Sequence, residues 1–515
     1  MRALGERGSI MLARPQLLRA SDYDQGEASR VLPDEGLVNE CTRAMAGRVL
    51  LDEEALEVLF HAGLGGLDQA VRLTAAMSLS GLARLLPGVG ITKYGGMICN
   101  RCGSTGPFVS TACARCGRDK CAICMNCRSM GVSRECVPVY IVNEPRVIQV
   151  QECTVAEGGF PIIPHVLTEA QKRAYGELVD WHDHGANREA LVWAVCGAGK
   201  TEVSFGAIAA ALRSGRRVAY AAPRRDVVAE LAPRIQSAFP GVPCAVFHGG
   251  STQRDYGACI TVLTTHQAMR FHSRFDLVIL DEADAFPYYG SEALATALER
   301  TLVMGGRMVI MTATPSRGHL ARVRVGSLPC VRISARHHGR PLPVPVVVET
   351  GGRSMGSAVA ELARVSLAAA APLFVFVPSR SRAPELSREL SPALPGRRVE
   401  WVHSGDPERS GKRESFASGR CDVLVTTSVM ERGITVDGAD VIVAEADWEA
   451  VFDYRSLVQM AGRAGRTSAH PAGRVWFVCS EANSAILTAI GMIREMNDDA
   501  KARGLLCPTS DSRST

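Results

Sequence analysis

From about residue 162 onward, short apolar runs alternate with longer stretches in which apolar positions recur every three or four residues. A run of four to six uniformly apolar residues suits a strand buried on both faces, and the 3.6-residue period suits a helix packed on one side. Their alternation predicts a parallel α/β sheet. Strands are expected at 190–195, 217–221, 244–247, 260–264, 277–280 and 308–311. After a proline-rich hinge at 338–345 a second set is expected, at 373–377, 398–402, 423–426, 441–444 and 475–478. Two tandem α/β lobes follow, over 160–335 and 345–505. Residues 1–95 form a variable N-terminal region, in which 49–86 place apolar residues at helical spacing with glycine breaks and predict one or two amphipathic helices. Residues 96–140 are a separate cysteine-rich element.

Composition narrows the class. The chain has 515 residues, 46% hydrophobic and 22% charged, enough for two to four domains with their own cores. The longest apolar run, Val365 to Val377, contains Pro372 and falls short of the ~18 residues a membrane helix needs. With no signal-peptide pattern at the N-terminus, a cytoplasmic protein without an intrinsic membrane span is expected. A net charge of +5 permits nucleic-acid binding without arguing for it. Of the 17 cysteines, eight fall between Cys99 and Cys136. In a long chain of this kind, such clustering points to metal rather than disulfides.

Four motifs carry chemistry. Ala194 to Thr201 follows an expected strand and opens a helix, as a phosphate-binding loop does. Gly197, Ala198 and Gly199 let backbone N–H groups close around phosphate oxygens, Lys200 supplies a cation at the β/γ-phosphates, and the Thr201 hydroxyl suits Mg²⁺. Ala194 stands where the commoner motif has its first glycine. Next, the apolar run 277–280 delivers Asp281 and Glu282 to a strand's C-terminal end, where α/β ligands bind. Asp281 would orient magnesium, and Glu282 would act as general base on the attacking water. Third, Thr312 and Thr314 follow the strand expected at 308–311 and offer two hydroxyls that would couple the nucleotide site to the rest of the lobe. Last, Gln459, Arg463 and Arg466 lie on an early helical turn of the second lobe, with two arginines three apart on one face. Planar guanidiniums there would clamp developing phosphoryl charge.

In this order, Lys200, Asp281-Glu282, Thr312–Thr314, Val423–Val436 and Gln459–Arg466 resemble the motif series of superfamily 2 helicases over residues 165–480. Trp193–Glu202, Asp284–Tyr288 and Ala335–His338 resemble ComFA, the ATPase of DNA uptake in naturally competent bacteria, although that family often has Val where this chain has Ala283. The resemblance implies two RecA-like lobes using ATP and Mg²⁺, with Gln171 reading adenine. It also implies single-stranded DNA as partner, with other competence proteins and the membrane DNA-uptake channel at the inner face of the membrane. Loops holding Arg224, Thr265, His266, His403, Thr427 and Arg432 follow strands in both lobes and become candidate DNA contacts on the same basis.

Two Cys-x-x-Cys pairs, Cys99/Cys102 and Cys124/Cys127, are separated by 21 residues and suit structural Zn²⁺. Spacing alone accepts Cys99, Cys102, Cys113 and Cys116 equally well, and the ComFA resemblance selects the first set. A second zinc on Cys113, Cys116, Cys121 and Cys136 would resemble the primosomal restart helicase. Six Arg/Lys against two Asp/Glu make residues 99–136 basic, so the element could touch DNA or serve purely as a structural clip.

The leading expectation is an ATP-driven motor on single-stranded DNA in natural transformation. Two alternatives compete with it: a replication-restart or repair helicase that unwinds duplex, and a zinc-organised DNA-binding adaptor whose ATPase only switches conformation.

Overall fold

The computed structural model describes residues 33–64, 67–143, 161–249, 257–427, 436–465 and 473–507. By contacts the chain divides into two compact units, Met1–Cys153 with Pro243–Asp276 and Gly290–Gly306, and Thr154–Val242 with Leu277–Tyr289 and Arg307–Thr515.

Within the first unit, helix α1 (Glu35–Met45), strand β1 (Arg48–Leu51), α2 (Asp52–His61), α3 (Leu67–Leu79) and β2 (Ala83–Pro87) lead into the cysteine-rich segment. That segment carries β3 (Val89–Ile91), β4 (Met97–Cys99), β5 (Phe108–Thr111) and β6 (Cys121–Cys124), paired as two antiparallel hairpins, and is followed by β7 (Pro138–Val142). The helices expected over 49–86 are present, and strands flank them. β7 lies between β1 and β2 in an antiparallel sheet. The helices cover it, burying Cys41, Leu50, Leu59, Leu73 and Met77 in one cluster.

The second unit begins with α4 (Glu169–His184), β8 (Glu189–Ala194), α5 (Lys200–Arg213), β9 (Val218–Ala222) and α6 (Arg225–Ala238). The first unit then takes the chain through β10 (Cys244–Phe247) and β11 (Ile260–Thr264), which pair in parallel. Strand β12 (Phe275–Leu280), α7 (Glu292–Arg300), β13 (Leu302–Thr312), α8 (Arg317–Arg324) and β14 (Cys330–Ile333) follow. In the second unit the order is β9-β12-β13-β8-β14, with β9 parallel to β12 and β8 parallel to both β13 and β14. β8, β9, β12 and the C-terminal half of β13 are buried almost throughout, as a sheet covered on both faces requires. Helix α5 is buried from Thr201 to Leu212, which explains its alanine-rich sequence.

The second lobe comprises β15 (Val346–Glu349), α9 (Met355–Ala368), β16 (Leu373–Phe376), α10 (Arg382–Ala393), β17 (Val399–Val402), α11 (Arg409–Ala417), β18 (Val423–Thr426), β19 (Asp440–Ala444), α12 (Tyr454–Ala461), β20 (Val475–Cys479) and α13 (Ser484–Ala502). Its six strands are ordered β15-β20-β19-β16-β18-β17, and every neighbouring pair is parallel. Separate apolar clusters lie on its two faces, one around Phe374, Phe416 and Leu457, the other around Val375, Leu386 and Trp476. The two parallel α/β lobes are thus the RecA-like pair expected from the sequence. Among the described residues, no helix is long and apolar enough to cross a membrane.

Candidate active site and metal centre

The phosphate loop joins β8 to the N-terminus of α5. Gly197 and Gly199 adopt φ values of 80° and 77°, a left-handed conformation that costs glycine little. A Cβ at Gly199 would lie 2.3 Å from Gln171 Nε2, so the loop also needs glycine for close approach. Gln171 is locked from both ends. Its Nε2 donates to the Ala198 carbonyl at 2.9 Å, and its Oε1 accepts the Thr168 N–H at 2.9 Å in a capping box at the start of α4. The helicase resemblance implies that Gln171 reads adenine, and its amide also braces the phosphate loop.

The acidic strand end converges on that loop. Lys200 Nζ lies 3.7 Å from Asp281 Oδ1. Burial alone would lower the Lys200 pKa, but Asp281, Asp284 and Glu282 together hold the ammonium above its ordinary value. Burial pushes the Asp281 carboxyl up while Lys200 pulls it down, and the net is upward. Tyr220 donates its hydroxyl to Asp281 Oδ2 at 3.2 Å, and the Glu282 N–H donates to Oδ1 at 2.8 Å. Glu282 itself has φ +50°, an uncommon conformation for a side-chain-bearing residue and one that turns the chain sharply after β12. The Thr201 hydroxyl and the Asp281 carboxylate are hard oxygen donors that fit Mg²⁺, which would neutralise phosphate charge there.

Asp284 is the node that the sequence did not single out. Thr312 Oγ1 donates to its Oδ1 at 2.8 Å, and Thr314 Oγ1 donates to its Oδ2 at 3.0 Å. From the second lobe, Gln459 Nε2 donates to the same Oδ2 at 2.9 Å. One buried carboxylate therefore joins both threonines to the second lobe's helix α12. The Gln459 carbonyl in turn accepts from the Cys196 thiol of the phosphate loop at 3.1 Å.

Arg336, quoted in the sequence only as part of a signature, is 2% exposed and bonded to four carbonyls. Its guanidinium donates to Cys196 at 3.2 Å, Gly462 at 3.2 Å, Ala464 at 2.7 Å and Gly465 at 2.5 Å, spanning the phosphate loop and the end of α12. Arg463 is buried just beyond α12. Arg466 and Arg432 lie outside the described residues.

The candidate DNA contacts differ in setting. Arg224 is partly exposed before α6, with Nε 3.5 Å from Asp226 Oδ1. His403 stacks beside Trp401 at 5.2 Å and accepts the Gly405 N–H at 3.1 Å. Thr427 is partly buried after β18. In the first unit, Thr265 is fully buried, and burial lowers the pKa of its neighbour His266.

The cysteine element gathers Cys99, Cys102, Cys124 and Cys127, all fully buried and with ligand atoms within 4.8 Å of one another. Cys99 and Cys127 Sγ are 3.7 Å apart, as are Cys102 and Cys124 Sγ. Four sulfurs at about 2.3 Å from a tetrahedral Zn²⁺ would be about 3.8 Å apart, so the thiols fit a closed structural zinc. The ion would supply crosslinking there and leave no position open for substrate. The element is tied to its surroundings within the first unit. Arg101, between the first two cysteines, is fully buried and pairs with Glu54 of α2 at 2.6 Å. Arg270 Nε reaches the same Glu54 oxygen at 2.9 Å, at the end of the turn that begins beside His266. Glu54 thus links the cysteine element to a candidate DNA loop, a connection between distant segments that local sequence does not display.

Comparison with known proteins gives three family matches along the chain. The competence protein ComFA N-terminal domain matches residues 38–141, the type III restriction enzyme res subunit family matches 164–317, and the helicase conserved C-terminal domain matches 358–468. Competence protein ComFA of Bacillus subtilis (strain 168) is 34% identical over 409 residues, covering 78% of this chain and 85% of that one. Competence protein ComFA of Streptococcus pneumoniae (strain ATCC BAA-255 / R6) is 32% identical over 341 residues, 65% of this chain and 78% of that one. The ATP-dependent DNA helicase RecG of Streptococcus pneumoniae serotype 4 is 26% identical over 59% of this chain and 47% of its own length. With ComFA-type N-terminal sequence ahead of two helicase lobes, and about a third of the aligned residues identical to ComFA proteins over most of their length, the chain belongs to the ComFA family and carries that family's superfamily 2 helicase-type ATPase core.

Proposed function

We propose that the chain is an ATP-driven motor that moves along single-stranded DNA during uptake of transforming DNA. The observation that carries this reading is the Asp284 carboxylate, held at once by Thr312 and Thr314 of the first lobe and Gln459 of the second. A change at the nucleotide site would then be felt by the second lobe through one buried group, as a motor needs.

In this reading the backbone N–H groups of Gly197, Ala198 and Gly199 cradle the phosphates, and Lys200 faces the β/γ oxygens. Thr201 and Asp281 hold Mg²⁺. Glu282 takes the proton of the attacking water, while Gln459, Arg463 and Arg466 stabilise charge developing on the phosphoryl group. Gln171 can meet adenine with its second amide N–H while keeping the bond to Ala198. DNA phosphates are met by Arg224, His266, His403, Thr427 and Arg432. Thr265, being buried, shapes its loop unless the loop opens. Cys99, Cys102, Cys124 and Cys127 hold a structural zinc, and the partners are competence proteins at the inner face of the membrane.

The test is the ATPase rate with and without single-stranded DNA of unrelated sequences, at rising salt. Strong, sequence-independent stimulation is expected, with a log–log affinity slope of about −0.7 per neutralised phosphate. An ATPase indifferent to DNA favours the adaptor reading, and efficient unwinding of blunt duplex favours the restart-helicase reading.

A further inference from the structure

A second group of thiols takes no part in the nucleotide site or the first cysteine centre. Cys113, Cys116, Cys121 and Cys136 have ligand atoms all within 4.8 Å of one another. Cys136 Sγ lies 3.7 Å from both Cys113 Sγ and Cys121 Sγ. A disulfide would place two sulfurs about 2.05 Å apart. Instead the spacing matches the edge of a thiolate tetrahedron around zinc, about 3.8 Å. It is also the spacing found in the first centre.

The backbone gives an independent argument. In the first centre the Gly103 N–H donates to the Cys99 carbonyl at 2.8 Å, and the Cys99 N–H donates to Ser104 at 2.8 Å. In the second, the Gly117 N–H donates to Cys113 at 2.9 Å, and the Cys113 N–H donates to Arg118 at 3.0 Å. Gly103 and Gly117 close these loops with φ of 78° and 69°. The chain therefore builds the same Cys-x-x-Cys-Gly knuckle twice, each presenting two thiols to one point. Strand β6 supplies a third ligand to each centre by simple periodicity, and Cys127 and Cys136 supply the fourth. Cys121 and Cys124 stand three apart at its two ends, so their side chains leave opposite faces of the strand, one for each centre.

We propose that Cys113, Cys116, Cys121 and Cys136 form a second structural zinc site. Four thiolates leave a Zn²⁺ complex with a net charge of −2, and Arg134 Nη1 lies 3.9 Å from Cys113 Sγ to offset it, while Arg115 sits inside the knuckle and Arg118 just past it. Arg115 pairs with Asp52 at the start of α2, and Arg118 with Glu135 at 2.9 Å. The ion clips the 113–121 loop to the segment entering β7, the middle strand of the N-terminal sheet. The first ion clips the Cys99–Gly103 knuckle to the segment from Cys124 to Cys127. A closed tetrahedron of sulfur offers no site for catalysis.

Metal content of the full chain, purified without chelator, tests this. Native mass spectrometry should show two zinc ions per chain. Cys116→Ser/Cys136→Ser should retain one, and Cys99→Ser/Cys127→Ser should also retain one, the other. Should a variant fail to fold, the unmodified chain still decides: titration with a mercurial should release two zinc ions as eight thiols react. A single zinc in the unmodified chain, unchanged in Cys116→Ser/Cys136→Ser, overturns the proposal. So does a mass deficit showing any of these four cysteines joined in disulfides.

Discussion

The nucleotide site and the cysteine element solve the same problem, holding a few side chains in fixed geometry, by opposite means. At the nucleotide site the loops hang from strands that are buried along nearly their whole length, so the scaffold is stable before any reactive group is placed. In the cysteine element the strands are three or four residues long, and five thiols, those of Cys99, Cys102, Cys121, Cys124 and Cys127, share full burial with Arg101 and Ser133. Chemistry is mounted on a finished fold in the one case. In the other, the ligand-binding groups are the core.

Three substitutions break or sharpen this contrast. The largest effect is expected from Cys99→Ala. Apparent zinc binding in small thiolate sites is about 10–16 kcal/mol and is folding free energy. The variant should lose one metal ion and expose 33–143 to limited proteolysis, while a metal-depleted wild type behaves alike. Retained metal and unchanged proteolysis would contradict a ligand-built core. Next, Lys200→Ala should reduce ATP turnover by about 10²–10³-fold or more, as removal of a fixed electrostatic group does. Its melting profile should match that of wild type, because the lobe does not depend on the lysine. A large loss of stability would erase the distinction drawn above. The smallest effect is expected from Asp284→Asn, which keeps the shape but loses two acceptor positions to an amide. Basal hydrolysis should fall less than stimulation by single-stranded DNA, a change of about 1–3 kcal/mol in coupling if the buried hydrogen bonds go unmade. Equal loss of both rates would make Asp284 a plain structural residue.

The same contrast explains what could be read from sequence. Buried parallel strands announce themselves as apolar runs, so β9 to β12 and β16 to β20 fall within two residues of their expected positions. Strands β14 and β15 were missed. β14 alternates between buried and half-buried residues and contains Arg332, and β15 is only three valines and a glutamate directly after the proline-rich hinge, at the edge of its sheet, too short a run to stand out. The N-terminal strands were hidden for a related reason, being antiparallel and packed beside helices whose 3.6-residue period dominates the segment. Within the site, the phosphate loop and Asp281-Glu282 were legible because each is contiguous. Asp284 gained its meaning only from partners 28, 30 and 175 residues away, and Arg336 from carbonyls up to 140 residues away. Spacing also left the pairing of eight cysteines open, since two interleaved tetrahedra do not follow chain order. Folding sorts them by strand face.

Cys196 gives the molecule a reporter of its own motion. The residue is 7% exposed and sits between the phosphate loop and α12, so close to Gly462 that a methyl group there would fall 2.6 Å from the Cys196 Cβ. An alkylating reagent has no room to enter while that contact stands. The rate at which Cys196 is labelled therefore counts the moments when the lobes part, and it can be followed through the ATP cycle by mass spectrometry without attaching a probe.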